Sequence, residues 1–84
     1  MSDTYMKDLG VAISEVRAEL ARATYKHPPI NSVHEGYAVL LEEVDEFWDE
    51  AKQKLPSRER MREELVQVAA MAIRTIVDCL GEES

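Results

Sequence analysis

Apolar residues recur along the chain at steps of three and four, and prolines interrupt the pattern twice. From about residue 4 to 25, Leu9, Ile13, Val16, Leu20 and Ala23 share one helix face, with Asp8, Glu15, Arg17, Glu19 and Arg22 on the others. Gly10 costs up to ~1 kcal/mol inside a helix, so frayed first turns are expected. The run KHPPINS ends this element. A Pro-Pro pair cannot continue a helix, and the residue before a proline is pushed out of the α region. Ser32 followed three residues later by Glu35 is a capping-box pattern. It predicts a second helix over about 33–55. Pro56 stops that helix, and Ser57 can cap a third over about 58–80, where Gly81 suits a left-handed stop. No segment alternates like a strand. The expected fold class is all-α, one three-helix domain spanning 1–84, with helices two and three antiparallel.

On helix two, Tyr37, Leu40, Leu41, Val44, Phe47, Trp48, Ala51 and Leu55 lie within about 60° of Val44, an apolar stripe of ordinary width. Tyr37, Phe47 and Trp48 are therefore expected in the core. Helix three is apolar around more than half its circumference, through Leu65, Val68, Ala69, Ile73, Ile76 and Leu80 among others. Such a helix is surrounded by protein, more than two short partners supply, so subunit contacts are expected. Length points the same way. A chain of 84 residues buries only about 60% of its unfolded surface. The lone cysteine, Cys79, permits no internal disulfide. A helical-bundle homo-oligomer (dimer or tetramer), a metal, or both are left to make up the shortfall.

The formal charge is −7, from 17 acids against 10 bases. That balance argues against non-specific nucleic-acid binding, which needs Lys and Arg to neutralise phosphates. An anionic ligand would call for a divalent cation as intermediary. The start, MSDTYMKDLG, has no apolar signal-peptide core, and the longest apolar stretch, LVQVAAMAI, is too short to span a bilayer. A soluble, cytoplasmic protein without membrane contact is expected.

The stretch EEVDEFWDE, residues 42–50, then stands out, with six carboxylates in nine positions. Glu43, Glu46 and Glu50 form one row on helix two; Glu42, Asp45 and Asp49 form another towards the opposite side. Helix three keeps one narrow polar line through Arg60, Glu64, Gln67, Arg74 and Asp78, with Met71 in its middle. Charges on an otherwise buried helix are costly unless paired or bound to metal. Either the acids are simply solvated, or a row on helix two meets the polar line and holds a hard cation such as Mg²⁺, as facing helices of a bundle can.

The segments HEGYAVLLEEVDEFWDE and MREELVQVAAMAIRTIVD resemble the MazG-type all-α nucleoside triphosphate pyrophosphohydrolases, over about residues 33–80. That family carries a Glu-Glu-x-x-Glu motif on one helix and Glu-x-x-Asp on a later one. Glu42, Glu43 and Glu46 match the first motif, and Glu64 opens the second. The resemblance implies cleavage of a nucleoside triphosphate, ribo or deoxy, to the monophosphate and pyrophosphate, as house-cleaning enzymes do. Carried over, Glu43, Glu46 and Glu64 would hold Mg²⁺, with Mn²⁺ as a substitute. Glu42 would be a ligand, a group behind the ligands or a water-orienting base. Arg74, on the polar line, would grip phosphate oxygens, with Lys26, Lys52 and Lys54 as weaker candidates. His34, beside the acidic helix, is either a surface or loop residue or a substrate contact. The second motif departs from the pattern. It reads ELVQ, so Gln67 stands where a carboxylate belongs; its amide oxygen can still ligate Mg²⁺, without charge. Asp78, on the same line, either supplies the missing charge or caps or pairs near the helix end. Gln67 keeps open a catalytically weakened nucleotide-binding or regulatory relative. Fully solvated acids would leave a non-catalytic helical interaction module. His27 is read as a loop residue, and Cys79 as packed into the last turn with no nucleophilic role.

Overall fold

The computed structural model describes residues 1–82. It is all-helical, and no strand occurs among the described residues. Each helix begins on a serine whose hydroxyl accepts a backbone N–H three residues on. Ser2 accepts from Tyr5, Ser32 from Glu35 and Ser57 from Arg60, each at 3.1 Å. These caps satisfy donors that a helix start otherwise leaves orphaned. They fix α1 at Asp3–Lys26, α2 at Val33–Ala51 and α3 at Arg58–Leu80.

Three sequence expectations shift. With Ser2 as its cap, α1 runs unbroken through Gly10 instead of fraying. Helix α2 stops at Ala51, four residues short of the expected 55. Pro56 forces Leu55 out of the helical region, and Glu50 draws the chain round instead, its Oε2 accepting the Ser57 N–H at 2.9 Å. Gly81 is extended (φ −67°, ψ 163°), so α3 ends without a left-handed residue.

Helix α3 is the common partner of the other two. It runs antiparallel to α2, as expected. Gly36 lies against Thr75 at one end, and Glu50 pairs with Arg60 at the other. It runs parallel to α1. Glu15 accepts from Arg62 near the start of α3, and Ala23 packs with Ala70 and Met71 further along. The α2–α3 approach is close because Gly36 has no side chain. A Cβ there would lie 2.5 Å from Thr75 Cγ2.

The core inside one chain is small: Ala23, Ile30, Ala70 and Met71, flanked by Val16, Leu20, Val39 and Leu40. The residues expected to dominate it do not. Tyr37 is 67% exposed and Trp48 59%, while Phe47 is half-buried. The face of α2 that meets α3 carries Gly36 and Glu43. It lies about 80–100° round the helix from Val44, at the centre of the apolar stripe. Much of that stripe therefore points away from α3.

The 27–31 connection is strapped onto the end of α3. Arg74 donates to Pro28 O at 2.8 Å, the Ile30 N–H donates to Asp78 Oδ2 at 2.9 Å, and the Cys79 thiol approaches Ile30 O at 3.4 Å. Ile30, within this strap, is buried. Among the described residues, no helix is long and apolar enough to cross a membrane.

Candidate metal centre

The antiparallel pairing of α2 and α3 selects one acidic row. Glu43 and Glu46, one turn apart on α2, meet Glu64 on α3, and one carboxylate oxygen from each lies within 4.8 Å of the others. Glu43 and Glu64 are half-buried, and Glu46 is exposed. The next member of the row, Glu50, is committed elsewhere. It pairs with Arg60 at 3.3 Å and holds the Ser57 N–H. On the second row, Glu42 and Asp45 are exposed and Asp49 pairs with Lys52 at 3.2 Å.

The cluster is electrostatically unbalanced. The Glu43 carboxyl is pushed from its ordinary 4.5 up to about 7, first by burial, then by the Glu46 charge and a hydrogen bond with Glu46, then by the charges of Glu64 and Glu42. Glu64 is also raised, first by burial and then by the charge of and a hydrogen bond with Glu46, with Arg60 pulling the other way. Both shifts mean that the charged form is disfavoured there, by burial first and by neighbouring carboxylates second.

Two cavities flank the trio. One, of about 420 Å³, is lined by Glu46, Asp49, Glu50, Gln53, Arg60 and Glu64. The other, of about 260 Å³, opens between α1, α2 and the strap. Glu43, Gln67 and Arg74 line it together with apolar Ala23, Ile30, Val39 and Met71. Arg74 is only 8% exposed. Its guanidinium donates to Pro28 O and approaches Met71 Sδ at 3.9 Å, and no carboxylate among the described residues forms an ion pair with it. The same cavity brings three carboxylates, Glu19, Glu35 and Glu43, to the side of this buried guanidinium.

The remaining residues named from the sequence fall elsewhere. Asp78 lies outside the trio, and its carboxylate anchors the Ile30 N–H. Lys26, His34 and Lys54 are exposed, and none lines either cavity. The smaller cavity instead recruits Glu19, His27 and Glu35, which the sequence reading did not place at a site. Glu35 carried one usable signal, its capping-box position, which sets it at the mouth of the strap. Its carboxylate accepts the Asn31 N–H at 3.4 Å. For Glu19 there was none, because on α1 it reads as one more solvated acid.

The molecule is thus an all-α protein of three helices with an acidic trio between two of them. No protein-family model, curated protein or solved structure matches the chain.

Proposed function

We propose that the protein is a Mg²⁺-dependent nucleotide pyrophosphohydrolase of the MazG-like kind, cleaving nucleoside triphosphates to the monophosphate and pyrophosphate. The observation that carries this reading is the convergence of Glu43, Glu46 and Glu64 oxygens within 4.8 Å, on the residues that match the two motifs. Three carboxylates that repel one another, all hard oxygen donors, fit Mg²⁺ or Mn²⁺, and these three would hold it. When bound, such an ion supplies neutralisation of phosphate charge and a more acidic water.

The chain's own groups supply the positioning. Arg74, fixed through Pro28, presents a buried guanidinium to the cavity that Glu43 also lines, and there orients the phosphate chain. Gln67, in the same cavity, adds an uncharged amide oxygen. Glu42, beside the trio and exposed, is the carboxylate left free to take a proton from water. A second reading, a nucleotide-binding regulator without turnover, is favoured by one feature: Gln67 brings no charge where the motif has a carboxylate.

The test is pyrophosphate release from a panel of ribo- and deoxynucleoside triphosphates with Mg²⁺ or Mn²⁺. Turnover abolished by Glu43→Gln and by Glu46→Gln supports the enzyme. Silence across the panel, with metal and nucleotide binding intact, supports the regulator. Neither turnover nor any response to metal leaves a helical interaction module.

A further inference from the structure

Arg74 and Asp78 stand one turn apart on α3, at the spacing where opposite charges on a helix meet. Among the described residues, no ion pair joins them. Each reaches the strap instead. The Arg74 guanidinium donates to Pro28 O at 2.8 Å, and the Asp78 carboxylate accepts the Ile30 N–H at 2.9 Å. The strap thus occupies two charges that would otherwise neutralise one another.

Asp78 anchors the strap where little else can. Pro28 and Pro29 have no N–H to give, so the Ile30 N–H is the first backbone donor after His27. The His27 N–H is tied back to Ala23 O at 2.9 Å as α1 ends. Pro28 O therefore sits between two fixed points, the end of α1 and the Asp78 carboxylate. Both prolines have a locked φ, so the segment is stiff and a shift at Ile30 is carried to Pro28. Ile30 is buried and lines the same cavity as Arg74, which adds apolar packing to the polar tie.

The kind of anchor decides what becomes of the Arg74 charge. A carbonyl fixes a guanidinium without cancelling it, whereas a carboxylate does both. The carboxylates that share the cavity are engaged elsewhere: Glu19 with Arg22, Glu35 with the Asn31 N–H at 3.4 Å, and Glu43 with Glu46. Asp78, the acid nearest to Arg74 in sequence, is taken up by the Ile30 N–H.

We propose that Asp78 is a positioning residue. Through Ile30 and Pro28 it holds the Arg74 guanidinium in place and keeps that charge free for the phosphate chain of a nucleotide. It acts without touching metal or substrate. The inference rests on the hydrolase reading for what Arg74 grips; the hold on Arg74 belongs to the strap alone.

The experiment measures pyrophosphate release with Mg²⁺ and the side-chain N–H nuclear magnetic resonance signals of Arg74. The proteins are wild type, Asp78→Ala, Asp78→Asn, Arg74→Ala and the Arg74→Ala, Asp78→Ala double variant. Asp78→Ala should raise KM by roughly tenfold, the order of one hydrogen bond to a charged group, with kcat little changed. Asp78→Asn keeps an oxygen that can accept the Ile30 N–H and should restore most of the loss. The double variant should match Arg74→Ala in KM, because the two residues act as one unit. The Nη–H signals of Arg74, resolved in the wild type, should average to those of a free guanidinium in Asp78→Ala. Should Asp78→Ala fail to fold, Asp78→Ser, whose hydroxyl is too short to reach, takes its place. Unchanged KM and unchanged Arg74 signals in the folded variant overturn the proposal and leave Asp78 a purely structural anchor. Losses that simply add in the double variant overturn it too. A wild type that releases no pyrophosphate counts against the hydrolase reading instead, and the Arg74 signals then decide the hold: averaged in Asp78→Ala they support it, unchanged they overturn it.

Discussion

Replacing Glu46 by Gln should make the metal-free protein more stable and the metal-treated protein less responsive. Glu46 faces both Glu43 and Glu64, so it takes part in two of the three repulsive pairs in the trio. At the 4.8 Å limit of the cluster, two full charges in a water-like dielectric repel by about 0.9 kcal/mol. Two such pairs approach 2 kcal/mol, and ordinary salt reduces the total to about 1 kcal/mol. For a domain of this size that is a rise in Tm of roughly 4–8 °C. The assay is thermal unfolding followed by circular dichroism at pH 8.5, above the value of about 7 for Glu43, at one fixed protein concentration, with EDTA or with Mg²⁺. With Mg²⁺ at a hundredfold excess over Kd, the wild type should gain about 2.7 kcal/mol by mass action, and Glu46→Gln should gain little. The two proteins then exchange order between EDTA and Mg²⁺. A variant that is less stable than wild type in EDTA, or that gains as much from Mg²⁺, would refute the reasoning.

Other consequences follow from the same geometry. The Glu43 carboxyl rises from 4.5 to about 7 on folding, so its protonated form favours the folded state. That stabilisation is complete below pH 4.5 and is lost as pH climbs through 7. Metal-free wild type should therefore lose Tm between pH 5 and 8 more steeply than Glu43→Gln does, and parallel pH profiles would contradict this. Gln67→Asp adds a fourth carboxylate beside Glu43. It should lower Tm in EDTA and tighten Mg²⁺ binding several-fold by calorimetric titration, whereas a site that takes no ion shows only the loss. Asp78→Ala removes the acceptor of the Ile30 N–H. It should cost roughly 1–3 kcal/mol in urea unfolding and leave the Mg²⁺ shift intact; a lost shift would make Asp78 a ligand. Gly36→Ala drives a Cβ into Thr75. The expected loss of about 1–3 kcal/mol from overpacking outweighs the gain of up to ~1 kcal/mol in helix propensity, and adding Thr75→Ala should restore most of it.

Punctuation residues made most of the fold readable. Ser32, Ser57 and the three prolines mark where helices start or cannot continue, and α3 spans Arg58–Leu80 as the pattern predicts. The end of α2 was not readable, because the side chain that turns the chain, Glu50, acts on Ser57 seven residues away. The orientation of α2 was hidden for a related reason. Its apolar stripe centres on Val44, but the close approach is set by a glycine, Gly36, and by a threonine on another helix. A hydrophobic pattern records which face is apolar and not which neighbour covers it. Tyr37 and Trp48 were expected inside and stand outside in the single chain for that reason.

The site was legible in part. Spacing grouped Glu43 with Glu46 and put Glu64 on a polar line, but left two acidic rows to choose between; the motif order chose the row that the helix pairing brings together. Arg74 was picked out as a charge on an apolar helix, and it is buried at a cavity. What fixes it, the carbonyl of Pro28, is a contact between residues 46 positions apart that no local pattern encodes. Asp78 shared the same line and serves the strap instead. Residues on one helix face share a direction but not a height, and Asp78 sits about four turns further along α3 than Glu64.

The central claim is that Glu43, Glu46 and Glu64 together bind a divalent cation. Titration of the metal-free protein with Mn²⁺, read by loss of the free-ion electron paramagnetic resonance signal, tests it most directly. The account predicts saturable binding by the wild type, displaced by Mg²⁺, lost in Glu46→Gln and retained in Asp78→Ala. Absence of binding by the wild type, or equal binding by wild type and Glu46→Gln, would contradict it.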